Sequence, residues 1–152
     1  MIVVFFLELL ILFFLSRMLT SGLSLLFHKI FKSKRVSIWL LAVIFLPGTI
    51  IHEFSHAIMA KLFFVHVGRM ELLPSLNGES LILGSVEIGK TDLFRNFLIG
   101  IAPFVSGVSL LFLILYSAFT KNIIGINLMT GIVLYLIFVI ANTMYSSKKD
   151  ME

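Results

Sequence analysis

Four apolar stretches, each long enough to form a helix that crosses a bilayer, make up most of this chain. They run over about residues 2–27, 36–65, 94–119 and 123–145. A spanning helix needs about 20 consecutive, mainly apolar residues. Hydrophobic residues make up 59% of the chain and charged residues only 13%, about half the charged share of an average soluble domain. The sequence therefore predicts an all-α membrane protein with about four transmembrane helices.

The segment between the second and third stretches is more polar and predicts a β-hairpin. Two β-prone runs, residues 67–72 and 81–88, flank a turn-like segment over residues 74–78 that contains Pro and Asn-Gly. The open edges of a hairpin cannot lie bare in hydrocarbon. We therefore expect a short membrane-associated hairpin, held at the bilayer surface or against protein.

The basic residues lie between the apolar stretches rather than along one face. The net charge is +4, but without a basic stripe interleaved with aromatic residues it favours contact with lipid headgroups, and we expect no nucleic-acid partner. The first stretch has no basic segment before it and contains Glu8. It is thus expected to be a retained span rather than a cleaved leader.

The second stretch contains the sequence His52-Glu53-Phe54-Ser55-His56. Residues four apart lie on one face of a helix, so His52 and His56 can present two imidazole nitrogens to one ion. Glu53 can then direct its carboxylate at a metal-bound water, which is the HExxH arrangement of zinc hydrolases. The chain has no cysteine, so any metal must be held by His, Asp or Glu. The pattern predicts two zinc ligands and a general base; metal binding without catalysis and a helix with two hydrogen-bonded histidines are the alternatives.

A catalytic zinc usually has a third protein ligand. His66 lies ten residues beyond His56, about 15 Å along a continuous helix, which is too far. Asp150 follows the fourth stretch and, by the number of crossings, lies on the membrane side that His56 approaches. From spacing alone, Asp150 is equally well interpreted as a metal ligand or as an ordinary exposed residue. Three hairpin carboxylates qualify only if the hairpin folds back: Glu71, Glu79 and Glu87.

Taken together, these residues resemble the site-2 protease family of intramembrane metalloproteases. That family pairs HExxH with an Asn and, eight residues later, an Asp, which is the spacing between Asn142 and Asp150 here. Residues 100–104 are similar to the family's small-x-Pro segment, whereas the family's Pro after the Asn and Gly after the Asp are missing. The resemblance covers about residues 36–150.

The resemblance implies one Zn²⁺ per chain, held by His52, His56 and Asp150, with Glu53 as the general base. Asn142 would position substrate or stabilise the oxyanion. The partner would be a membrane protein whose transmembrane segment is cleaved, and the site would lie nearer the cytoplasmic face of the cell (inner) membrane.

The chain shows no internal repeat and no linker of domain size. We therefore expect a single domain over residues 1–152, in which residues 1–35 form an extra first span with a basic loop and residues 36–150 form the catalytic core. The rival functions are a non-catalytic membrane metal-binding protein of the same fold and a metal ion transporter. The transporter is disfavoured because no inverted repeat is visible. The sequence does not indicate an oligomeric state.

Overall fold

The computed structural model describes residues 2–72, 75–77, 80–82, 84–123, 125 and 127–145. Its order along the chain is two helices, four short strands and two further helices. The helices are α1 (Ile2–Phe31), α2 (Lys34–Leu62), α3 (Leu93–Thr120) and α4 (Leu128–Thr143), and the strands are β1 (Val67–Glu71), β2 (Ser75–Asn77), β3 (Ser80–Ile82) and β4 (Ser85–Ile88).

In the part of the chain that the structure describes, three helical segments are long and apolar enough to cross a membrane: Leu10–Phe31, Lys34–Leu62 and Leu93–Thr120. This confirms the predicted mainly helical, membrane-compatible fold. Helix α4 is also apolar but has only 16 residues. At 1.5 Å per residue it is about 24 Å long, shorter than the roughly 30 Å hydrocarbon core. A fourth crossing therefore stays a prediction.

Two helices differ in extent from the stretches that predicted them. Helix α1 continues through Arg17 and Gly22 as one 30-residue element, and the Arg17 guanidinium lies 5.3 Å from the centre of the Phe13 ring. Helix α4 begins at Leu128, five residues later than the apolar stretch, because Asn127 caps it. The Asn127 side chain accepts a hydrogen bond from the Thr130 N–H at 2.8 Å, which satisfies a donor that the first helical turn leaves open.

The predicted hairpin is present, but the predicted turn is partly wrong. Strand β1 pairs antiparallel with β4, and β2 pairs antiparallel with β3. Ser75–Asn77, expected in the turn, forms β2, so the paired region extends further towards the reversal than the prediction. Only two residues separate Asn77 from Ser80, the commonest length of a hairpin connection. Pro74 and Gly78 lie outside the described residues.

The chain divides into two compact units, Met1–Ile44 and Phe45–Glu152, with the boundary inside α2. The first unit contains α1, whose described apolar side chains are largely exposed. The second contains a core formed by Ala60, Val65 and Ile99. Side chains packed against that core come from α2, the following turn, β1 and β4: Met59, Phe63, Val67 and Ile88. The base of the hairpin is thereby fixed between the end of α2 and the start of α3.

Helix α3 begins at a well-formed cap. The Arg95 backbone N–H donates to the Asp92 carboxylate at 3.0 Å, and the Arg95 guanidinium lies 3.2 Å from the same carboxylate. The backbone hydrogen bond from Arg95 holds the pKa of Asp92 below its usual value, because it stabilises the charged form. The cap therefore fixes the start of α3 only a few residues before the site described next.

Candidate metal centre

His52 and His56 lie side by side on α2, one helical turn apart. Their rings are edge-on to each other, with centroids 4.9 Å apart and planes at 79°. The two Nε2 atoms face each other at 3.3 Å. The i, i+4 spacing that brings them together is thus realised as the sequence predicts.

Each imidazole is held by a backbone carbonyl from a different helix. His56 Nδ1 lies 2.8 Å from the Ile99 carbonyl oxygen in α3, and His52 Nδ1 lies 2.6 Å from the Thr143 carbonyl oxygen at the end of α4. A carbonyl oxygen can only accept, so each Nδ1 must carry the proton. In the neutral ring this leaves a lone pair on Nε2, and the two lone pairs converge.

This geometry fits a zinc ion. Two nitrogens bound tetrahedrally at about 2.0–2.1 Å from zinc are about 3.3–3.4 Å apart, and the two Nε2 atoms are 3.3 Å apart. Ligating histidines almost always donate their other ring N–H to a carbonyl, carboxylate or water. Both features of a two-histidine zinc site are therefore present in the residues themselves.

Glu53 lies between these histidines in sequence and borders a cavity. Its side chain is buried to 9% exposure. The cavity has a volume of about 530 Å³, and Glu53 and His56 line it together with residues from β4, from the segment that follows β4 and from α3. A carboxylate and an imidazole therefore face the same space.

The hairpin backbone closes against Glu53 at Gly84. A Cβ added to Gly84 would lie 2.9 Å from Thr49 Cγ2 and 3.0 Å from Glu53 Cγ. Only glycine permits this approach without displacing the carboxylate side chain. Gly84, immediately before β4, thus forms part of the cavity wall directly beside the candidate base.

The end of α4 is packed closely against both α2 and α3. A Cβ on Gly48 would collide with Thr143 Oγ1 and lie 2.7 Å from Val139 Cγ1. A Cβ on Gly107 would lie 2.5 Å from Met144 Cβ. Because neither glycine has a side chain, the last turn of α4 can approach α2 closely enough for the Thr143 carbonyl to contact His52.

Asn142 lies on α4 one residue before Thr143. Its Nδ2 donates to the Phe138 carbonyl oxygen at 2.6 Å. Its Oδ1 is buried and has no hydrogen-bond partner among the residues that the structure describes. The amide therefore keeps an unused acceptor and a second N–H.

The structure brings together three of the predicted site residues: His52, Glu53 and His56. Asp150 and Glu79 lie outside the described residues. Within the described part of the chain, no group of three or more His, Asp or Glu side chains is placed to hold a metal ion. The hairpin carboxylates Glu71 and Glu87 therefore do not complete a three-ligand set there, and Asp150 stays a prediction.

Sequence reasoning missed the two carbonyl acceptors, at Ile99 and Thr143. Backbone groups have no residue signature, so the HExxH pattern gives no indication of them. The available signals were indirect: a proline four residues after Ile99, and the helix end at Thr143.

Comparisons of this chain with protein-family models, with curated proteins and with solved structures found no match.

Proposed function

We propose that this chain is an intramembrane zinc metalloendopeptidase that cleaves a transmembrane segment of another membrane protein. The observation that carries the proposal is the histidine pair. Its two Nε2 atoms are 3.3 Å apart, and both Nδ1 atoms are engaged by carbonyls. Ionisable side chains inside a membrane helix cost free energy, so their presence usually indicates a function.

His52 and His56 would hold one Zn²⁺ through Nε2, with Asp150 as the third protein ligand. Seven residues lead from Thr143, beside His52, to Asp150. Fully extended, that length of chain spans roughly 23–25 Å, so the carboxylate has ample reach to return to the histidines. The fourth coordination position would be open to water or substrate.

Glu53 is assigned the general base. When bound, zinc supplies a water of lowered pKa and polarises the scissile carbonyl. Glu53 would accept the proton of that water and deliver it to the leaving amine. Its burial beside a cavity supports this role, because a carboxylate in a water-restricted site interacts more strongly with the proton it transfers.

Asn142 is assigned an accessory role. Its Oδ1, which has no hydrogen-bond partner among the described residues, can accept a substrate N–H. Its remaining Nδ2 hydrogen can donate to a substrate carbonyl or to the oxyanion. An amide is suited to this because it offers both groups without a proton exchange.

The proposal includes the membrane arrangement. We propose a multi-pass protein of the cell (inner) membrane in which α4 makes the fourth crossing and the site lies nearer the cytoplasmic face. The membrane-associated hairpin would border the site, consistent with Gly84 against Glu53.

The test uses purified full-length protein, reconstituted with single-span candidate substrates. Glu53→Gln should retain zinc at the wild-type ratio while cleavage falls by about 10²–10⁴-fold, the usual contribution of a general base. Glu8→Gln, which makes the same chemical change on α1, is the matched control and should keep both properties.

The outcomes separate the proposed function from its rivals. Zinc binding without cleavage in the wild type would identify a non-catalytic metal-binding protein. Undiminished cleavage by Glu53→Gln would remove Glu53 from the mechanism. Zinc flux into proteoliposomes that does not depend on Glu53 would favour a transporter.

A further inference from the structure

The carbonyl that holds His56 lies in the interior of a long helix, where such groups are normally occupied. In a regular α-helix the carbonyl of residue i accepts the N–H of residue i+4. Ile99 is well inside α3, which runs over Leu93–Thr120. Its carbonyl oxygen nevertheless lies 2.8 Å from His56 Nδ1. The expected helical donor for Ile99 would be the N–H of residue 103.

Residue 103 is a proline, and proline has no N–H. Pro103 lies inside α3 and is almost completely buried. Proline in a helix interior removes the hydrogen bond to the carbonyl four residues earlier, and its ring displaces that carbonyl from the helix axis. Both effects act on the Ile99 oxygen, the atom that faces His56.

We infer that Pro103 is a positioning residue of the metal centre: by leaving the Ile99 carbonyl without a helical donor, it holds the His56 proton on Nδ1 and directs Nε2 to the metal. This inference rests on the proposed function for its metal, whereas the contact between His56 and Ile99 does not depend on a metal. Pro103 touches no reacting atom and acts only through the Ile99 carbonyl and the imidazole.

The Ile99 carbonyl matters as an acceptor because the His56 ring is buried. His56 is 4% exposed and Ile99 is 2% exposed, so water has little access to satisfy the ring N–H. With an N–H at position 103, the carbonyl would be shared between the helix and the imidazole. The ring could then shift its proton to Nε2. A histidine binds metal through an unprotonated nitrogen, so this shift would block Nε2 as a ligand.

The chain provides a matched control in Pro47. It also lies inside a long helix, α2, and it likewise removes the helical donor of the carbonyl four residues earlier, at Val43. The carbonyl acceptors of the histidine pair are at Thr143 and Ile99, not at Val43. A general effect of removing a helix proline should therefore appear in both variants, and a specific effect only at Pro103.

The experiment measures Co²⁺ and Zn²⁺ affinity of the full-length protein in nanodiscs, together with the Co²⁺ absorption spectrum. Pro103→Ala should weaken binding by about 10- to 100-fold, the typical effect of losing an outer-shell partner, and should change the Co²⁺ bands. The affinity of Pro47→Ala should stay within about twofold of wild type, because the Val43 carbonyl that Pro47 affects is not the acceptor of either histidine contact. Thermal unfolding is measured on each variant to establish that it is folded.

A backbone variant separates two effects of Pro103: the missing backbone N–H and the packing of the pyrrolidine ring. Lactic acid, the α-hydroxy analogue of alanine, placed at position 103 removes the pyrrolidine ring but introduces no N–H. It should retain affinity within about twofold of wild type, because the helix still offers no donor to Ile99. Weak binding by this variant would show that ring packing matters instead, and would overturn the inference.

A second readout is independent of metal. In metal-free protein labelled with ¹⁵N-histidine, the His56 proton should reside on Nδ1 in the wild type and the lactic acid variant, and be redistributed in Pro103→Ala. If the wild type binds no metal, the proposed function fails while this measurement still tests the inference. A His56 proton that stays on Nδ1 in Pro103→Ala, or an unchanged affinity where metal binds, would overturn it.

Discussion

The two histidines of the candidate centre lie one turn apart on the same helix, yet they are supported in different ways. His56 is held by a carbonyl in the interior of α3, next to the buried core of the second unit. His52 is held by the last carbonyl of α4, a helix of 16 residues. Among the described residues, neither acceptor has a helical donor: position 103 in α3 is proline, and α4 ends at Thr143.

The difference indicates what each half of the site requires of the helix that packs against α2. The contact of His56 depends on local chemistry in α3 and on the α2–α3 interface, where Ser55 Oγ also lies 2.5 Å from Ser106 Oγ. The contact of His52 depends on where α4 ends and on how closely it approaches α2. Gly48 permits that approach, and Phe45 stacks on Phe138 at the same interface with centroids 5.6 Å apart.

The largest expected effect concerns the chain beyond α4. Asp150→Ala should reduce Zn²⁺ affinity by at least about 100-fold, more than most losses of an outer-shell partner, because it removes the proposed third ligand. Glu152→Ala removes the neighbouring carboxylate and should leave affinity unchanged. Zinc content after dialysis against a chelator measures both. Full retention of zinc by Asp150→Ala would mean that the third ligand is elsewhere.

An intermediate effect is expected at Gly48. Alanine there would collide with Thr143 and Val139, displace the end of α4 and lengthen the contact of His52 with the Thr143 carbonyl. We expect Co²⁺ affinity to fall about 10-fold, as for other losses of an outer-shell partner.

Two companion variants separate this effect from general destabilisation. Adding Thr143→Ala to Gly48→Ala removes two of the three colliding atoms, Oγ1 and Cγ2, and keeps the carbonyl. Val139 Cγ1 stays in place, so affinity should recover in part. Gly131→Ala, on α4, is the control, since a Cβ there meets no described atom within 4 Å. Equal losses at Gly48 and Gly131, or no recovery in the double variant, would contradict the proposed close approach.

The smallest effect is expected on the His56 side. Ser106→Ala removes the hydroxyl pair with Ser55 and should lower the free energy of unfolding by about 0.6 kcal/mol, the average for interhelical hydrogen bonds in a membrane. Metal affinity should stay within about twofold of wild type, because the carbonyl at Ile99 is retained. Ser109→Ala is the control: this exposed serine lies on the same helix, and its hydroxyl donates to the Val105 carbonyl of that helix. A large loss of affinity in Ser106→Ala alone would mean that the whole α2–α3 interface, rather than the carbonyl, holds His56.

Most of the helical fold could be predicted because apolar length is a property of the sequence itself. The starts and ends of α2 and α3 differ from the predicted stretches by only one to three residues. Helix α4 was predicted too long because hydropathy continues through residues 123–127, whereas the Asn127 cap sets its start. The hairpin turn was misplaced because Pro and Asn-Gly indicate a reversal but do not fix where cross-strand pairing ends.

The sequence by itself determined the membrane character of the chain and the presence of two imidazoles and a carboxylate on one helical turn. Both follow from local geometry, namely the length of apolar stretches and the spacing of side chains along a helix. The tertiary structure alone decided which carbonyls hold the rings, and therefore which nitrogen of each ring faces its neighbour. Those contacts join residues 43 and 91 positions apart, and they exist only because α3 and α4 pack against α2. Spacing along one helix does not encode the position of another.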